Sequence, residues 1–422
     1  MPSAIPLLFL AVMAAVTWVS PLVSLYLFVL ISPIGIGGEL VGWDPRTRWA
    51  MLLCLRGAWE VFRTNVNYVP STACKLWAGF TVVAVAGLWA GGRGLLADEM
   101  EASWTLLLYF IAGSCGAYGI SQLVRKRHQI RALCMVFAAS VLVVSSIGIL
   151  QALARYKLSE PTDRISGSLG SANYFATYLA LAATTLVLLV RSGAIKRWQG
   201  VVPCAAAMAA CVLTLSRTGI MAVLVGVGLA LVVRPERRLV SPRTIAATAA
   251  AAVLGAVLLA GYLLEYRRNV TNSDDSRLAQ LAEASQAVED LSRLEAFRYS
   301  VQLTTEHPLA GIGFGTFAAR NYDANGFYVV THNTVMEVLV GTGIAGGILL
   351  LCLIVSLIRP LDIQGRRYLF PTGVASGICS LFGDYLQSIE VFVVLAVLYV
   401  SVRNLVEPAT SDGEEQRQPC AV

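Results

Sequence analysis

Three histidines occur in the 422-residue chain, at positions 128, 307 and 332. His332 stands in "YVVTHNTVMEVLVGTGIAGG" (328–347), directly before a long apolar run that ends in glycines. An imidazole has a free pKa of roughly 6.5, so a neutral one is present near neutral pH and can take a proton. Beside an attacking hydroxyl it serves as a general base. Three arginines hold comparable places. Arg217 in "LSRTGIMAVLVG" opens an apolar run, Arg164 in "DRISGSLGSANYFATYLAL" precedes another, and Arg293 lies in the longest polar stretch. Arginine stays charged and forks onto paired phosphate oxygens, which lysine does not match. Such residues suit the capture of an anion and its displacement by an alcohol. Plainer roles exist for all of them. Thr331, Asn333 or Thr334 caps a helix beside His332, with Thr334 and Glu337 at capping-box spacing. The arginines pair with acidic neighbours such as Glu289 and Asp290.

The elements that position these residues follow from composition. The chain is 56% hydrophobic and 14% charged, where a soluble domain averages about 25% charged. Apolar runs of membrane-crossing length recur, and lipid leaves the backbone no partners outside a helix. Twelve spans are expected: 4–19, 21–37, 74–92, 103–123, 130–151, 172–190, 198–215, 217–233, 244–264, 333–358, 368–386 and 388–404. The fold class is therefore all-α, a polytopic membrane protein with about 12 transmembrane helices.

Orientation follows the basic loops. "VRKRHQIR" (124–131), "RSGAIKRW" (191–198), "RPERRLVSPR" (234–243) and "RPLDIQGRR" (359–367) fall on one side, read as cytoplasmic together with both termini. The net charge of +6 thus records topology and gives no sign of a nucleic-acid partner. None of the nine cysteines falls in an outer segment, so no disulfide framework is implied. His332, Arg217 and Arg164 then share the outer face. The expected organisation is 1–264 for nine spans with an amphipathic interfacial segment near 48–62, and 265–332 for a helical outer loop acting as a lid. Residues 333–404 form three further spans, and 405–422 a disordered cytoplasmic tail.

Within the loop, 273–290 and 292–308 read as helices. Ser292 and Glu295 have capping-box spacing at the start of the second, and Pro308 ends it. Arg293, Phe297 and Ser300 share a face by helical spacing. "GIGFGTF" (311–317) lacks the GxGxxG spacing of a dinucleotide site. Gly343 and Gly347 stand at small-xxx-small spacing, which admits a neighbouring helix. Pro203 and Pro371 are expected kink points inside spans. No D-x-D, HExxH or P-loop occurs, so neither metal nor cofactor is expected.

Four stretches together, "DRISGSLGSANYFATYLAL", "LSRTGIMAVLVG", "SRLEAFRYSVQLTTEHPLAGIGFGTF" and "THNTVMEVLVGTGIAGG", resemble the O-antigen ligase family of bacterial inner-membrane glycosyltransferases. The resemblance covers 163–347 by motif. It implies an architecture similar to type-C (GT-C) glycosyltransferases. It also implies metal-independent glycan transfer from undecaprenyl diphosphate to a sugar of lipid A–core, at the periplasmic face. The family's essential arginines fall on Arg217 and Arg293, its histidine on His332, and a late acidic residue on Asp384 in "LFGDYLQ". Arg164 joins the diphosphate-binding set, with Asn333, Glu337 and Asn173 in support. "SAN" (171–173) departs from relatives that carry Pro before Asn173. One base and one displacement imply inversion at the anomeric carbon. O-antigen polymerisation and transfer to protein Ser or Thr are the neighbouring readings. Transport of an anionic solute or lipid is the alternative of another class, against which stand the lack of an inverted repeat and the scarcity of mid-span charge.

Overall fold

The computed structural model describes residues 4–34, 44–93, 95–157, 165–232, 293–326, 329–383 and 388–406. Every regular element among them is helical. In chain order these are α1 (Ala4–Val19), α2 (Pro21–Ile31), α3 (Pro45–Thr64), α4 (Ser71–Gly91), α5 (Ala97–Leu123), α6 (Arg127–Lys157), α7 (Ala172–Arg191), α8 (Arg197–Leu213) and α9 (Arg217–Val232). The helix 293–306 is α10; α11 (Phe317–Asn325), α12 (Thr334–Ile358), α13 (Ile363–Phe382) and α14 (Ile389–Val406) complete the series.

Eleven of the twelve expected spans coincide with α1, α2, α4–α9 and α12–α14. The twelfth, 244–264, lies outside the described residues, as do the helix expected at 273–290 and the tail from 407. Among the described residues, five helices are long and apolar enough to cross a membrane: α4, α5, most of α6, α7 and α12. The described residues thus form an all-helical structure consistent with a membrane protein. Pro203 and Pro371 lie inside α8 and α13.

The centre of the bundle is α7. Phe175, Tyr178, Leu179, Leu181 and Leu186 are fully buried, as expected of a helix that is apolar on every side. α8 and α9 flank it, and α13 and α14 close it in. Small residues set these distances. A side chain on Gly219 of α9 would collide with Ala176 of α7.

α3 is amphipathic. Trp49, Ala50, Leu53, Gly57 and Glu60 are buried, while Leu55, Trp59 and Phe62 are exposed. α5 takes up the buried stripe. Ala50 meets Gly116, Leu53 meets Gly119 and Gly57 meets Gln122, so the contacts advance in the same sense on both chains and the two helices run side by side in one direction. A Cβ on Gly119 would stand 2.8 Å from the Leu53 carbonyl. At the far end Arg403 of α14 donates to the carbonyls of Ser121 (3.2 Å), Val124 (3.2 Å) and Tyr68 (3.3 Å). Two of these acceptors lie in the last turn of α5 or just beyond, where helical carbonyls lack partners.

α12 is not one continuous helix. Gly343 has φ 64° and ψ −169°, which breaks it. The segment after α10 is laid along the break. Ile312 N–H donates to Val340 O at 2.8 Å and Gly313 N–H to Gly341 O at 3.1 Å. Ile344 N–H donates to Pro308 O at 2.8 Å and Ala345 N–H to Leu309 O at 3.4 Å. Groups that the helix frees are thus taken up by protein, a condition for irregular backbone at membrane depth. The expectation of a Gly343–Gly347 helix-packing face is corrected here: Gly343 admits the Leu309–Ala310 backbone, where a Cβ would collide. Both arrangements call for a small residue, so spacing could not separate them.

Candidate functional site

The helix starts of α7 and α9 meet at one end of the bundle. Between α8 and α9 the chain turns through Thr214, Leu215 and Ser216, with Leu215 at φ 54°. Ser216 Oγ stands 3.4 Å from the Gly219 N–H, the geometry of an N-cap. The same hydroxyl donates to Asn173 Oδ1 at 3.2 Å. That bond joins the "SAN" stretch to the "LSRTG" stretch, so Arg217 and Asn173 are brought into one neighbourhood. Arg217 is the first residue of α9 and is exposed. Its charge thus belongs to the end of α9 that by its dipole already favours an anion.

His332 has φ 49°, a left-handed backbone unusual for a residue with a side chain. It is half-buried. Asn333 caps α12, its side chain accepting from Met336 N–H at 3.0 Å. The Thr334–Glu337 capping box expected from spacing is therefore not formed. With Asn333 as cap the third helical residue is Met336, and Glu337 is one position too late to reach back. The buried Glu337 carboxylate instead accepts from the Thr331 hydroxyl at 3.1 Å, and that oxygen also lies 3.1 Å from the Asn333 carbonyl. His332 is thus bracketed by a capped helix on one side and an anchored threonine on the other.

This mouth is fixed to the end of α13. Thr334 Oγ1 donates to Gly383 O at 2.8 Å, its N–H to the same oxygen at 3.2 Å, and Asn333 Nδ2 to Leu381 O at 3.1 Å. Asp384 follows Gly383 in sequence but lies outside the described residues, as do Arg164, Glu289 and Asp290.

Arg293 is the first described residue of α10. Ala296 and Leu303 of α10 cluster with Ile312, Phe317 and Val340, and Tyr299, Val329 and Met336 pack against them. α10 therefore lies over the first half of α12. Arg293 stands half-buried at the flank of that face with the buried Ser300, whereas Phe297 is exposed. Burial pushes the Tyr299 phenol above its ordinary value, with Arg320 acting the other way. Arg320 also donates to Gly91 O at 2.9 Å, which ties α11 to the end of α4. Among the described residues no group of three or more His, Cys, Asp or Glu is placed to hold a metal ion.

Among the described residues, α3, α7, α9, α12 and α14 all begin at this end. Sequence patterns located the starts of α7, α9 and α12, but the Thr331–Glu337 bond, the Gly383 acceptor and the two left-handed residues had no sequence signal. A threonine one residue before the histidine was visible only as a possible cap.

Residues 202–351 match the family described as O-antigen ligase. The matched stretch runs from α8 through Arg217, α10 and His332 to the lower half of α12. The match supports the superfamily of O-antigen ligases and polymerases. No curated protein matches the chain.

Proposed function

We propose that this chain, similar over its centre to the O-antigen ligase family, moves a glycan from undecaprenyl diphosphate onto a sugar hydroxyl of lipid A–core. The reaction takes place at the periplasmic face of the bacterial inner membrane. His332 takes the proton from the acceptor hydroxyl as its oxygen attacks the anomeric carbon. The bond from that carbon to the diphosphate oxygen breaks, and the electron pair leaves with undecaprenyl diphosphate. Arg217 and Arg293 neutralise the growing charge, with Arg164 assisting. A preorganised donor in such a place is worth roughly 3 kcal/mol. One displacement inverts the anomeric centre. Asp384 and Asn173 are assigned supporting roles, and Glu337 holds the His332 turn.

The observation that carries the reading is the start of α9. An exposed arginine occupies a helix N-terminus, tied through Ser216 to Asn173. Arginine and helix dipole both add positive potential there, while the histidine belongs to the start of α12, tied to the end of α13.

The test is transfer with chelator present, from undecaprenyl-diphosphate glycan to purified lipid A–core, with lipid-linked repeats and a pilin-type protein as competing acceptors. Ligation by wild type, lost in His332→Ala, Arg217→Ala and Arg293→Ala, supports the assignment. Product formed only on lipid-linked repeats converts the reading to a polymerase, and product only on the protein to an oligosaccharyltransferase. Uptake into proteoliposomes without a new glycoside replaces it with a transporter.

A further inference from the structure

A second polar constellation lies at the same end of the bundle. Asp44 caps α3 by accepting from Arg46 N–H at 2.9 Å, and its other oxygen accepts from Arg46 Nε at 2.6 Å. The Arg46 fork also pairs with Glu390 of α14 and donates to Ser32 O at 2.9 Å. Ser388 Oγ donates to Glu390 Oε2 at 2.8 Å. Asp44 and Glu390 are about 95% buried. A cleft of about 180 Å³ opens onto this group, lined by Arg46, Tyr109, Leu169, Tyr174, Ser388 and Glu390, with Ile389.

We infer that this cleft is a sugar subsite, holding one uncharged pyranose ring of the transferred glycan beside the reacting centre. The inference rests on the transferase reading above and names a binding element for it. Three properties carry it. One guanidinium faces two carboxylates, so the cleft has no surplus positive charge and is unsuited to a diphosphate. Its ionic and hydroxyl lining is equally unsuited to an acyl chain, which would leave those groups unsolvated. What remains is a ligand with many hydroxyls and an apolar ring face. Carboxylate oxygens accept from hydroxyls, guanidinium and phenol groups donate to them, and tyrosine rings offer a flat apolar surface with a polar tip. The volume suits one ring rather than a chain of them.

The position fits. Tyr174 follows Asn173, whose amide is bonded to the cap of α9. On the other side Ser388 is five residues from Gly383, the acceptor for Thr334 beside the His332 mouth. Five residues span at most about 18 Å. The cleft therefore adjoins Asn173 in the chain and stands within reach of the segment that anchors the His332 mouth, while sharing no residue with either.

The experiment uses the full-length protein in nanodiscs. The probe is the oligosaccharide that mild acid releases from the source cell's lipid-linked pool, free of lipid and phosphate. Binding is read by saturation-transfer NMR, and transfer is assayed separately. Wild type and His332→Ala are expected to bind alike, whereas Tyr174→Leu and Tyr109→Leu weaken binding roughly tenfold, the scale of a lost aromatic contact. Both tyrosines are half-buried, and Ser388→Ala supplies a smaller change with the same expected direction. Unchanged binding in all three overturns the inference, as does competition by inorganic diphosphate. Transfer by wild type without any oligosaccharide binding overturns the subsite alone. Binding that follows the tyrosines without transfer by wild type upholds the subsite and overturns the transferase reading.

Discussion

The Thr331 hydroxyl stands 3.1 Å from a Glu337 carboxylate oxygen, so the two residues bracket His332 from either side of the α12 cap. A base works only if its ring stays within reach of the proton it takes. The bracket restricts the turn that carries the ring.

Removing the bracket is therefore expected to slow transfer without unfolding the protein. Thr331→Val and Glu337→Gln should each lower kcat roughly tenfold, about the worth of one hydrogen bond to a charged group. Thermal unfolding in detergent should shift by only a few degrees. Full activity in both variants would leave the bracket without a catalytic part.

The backbone of His332 offers a sharper separation of stability from activity. A left-handed conformation costs a residue with a Cβ about 1–2 kcal/mol, and glycine escapes that cost. His332→Gly should thus be more stable than His332→Ala. Both should lose transfer by about 10²- to 10⁴-fold, the usual contribution of a positioned base. A His332→Gly protein that melts lower than His332→Ala would contradict the geometry.

Arg217 distinguishes charge from shape. Arg217→Lys keeps the charge but loses the planar fork. Arg217→Ala should cost transfer about 10²-fold, from roughly 3 kcal/mol, with Arg217→Lys falling between it and wild type. Equal rates for Lys and Arg would mean that a point charge is sufficient there.

The break in α12 predicts a stability effect far from any reacting group. A Cβ at Gly343 or Gly311 would collide with backbone carbonyls across the junction, and both have positive φ. Gly343→Ala and Gly311→Ala should each destabilise by about 1–3 kcal/mol. Gly347→Ala, whose Cβ would meet only the tip of Leu339, should be mild. The check is melting temperature in one detergent; equal losses at 343 and 347 would favour ordinary helix packing.

The helices were legible because membrane spans announce themselves by length. The runs at 172–190 and 333–358 became α7 and α12 within a residue or two. Candidate residues at helix starts were legible for a related reason, since a polar residue before an apolar run has few other places to be. The break at Gly343 was not legible. Its freed groups are satisfied by residues 308–313, and nothing in "GTGIAGG" states what will lie against it. The Arg46–Glu390 pair spans 344 positions and obeys no local period. Sequence showed the stripe on α3 but not that α5 would cover it.

The junction at Gly343 also has a mechanical meaning. Four backbone hydrogen bonds clamp residues 308–313 to α12. The chain leaving α10 is thus welded to a membrane helix instead of hanging from a slack tether. The path of the chain out of α10 is thereby set by α12, the helix that carries His332 at its start.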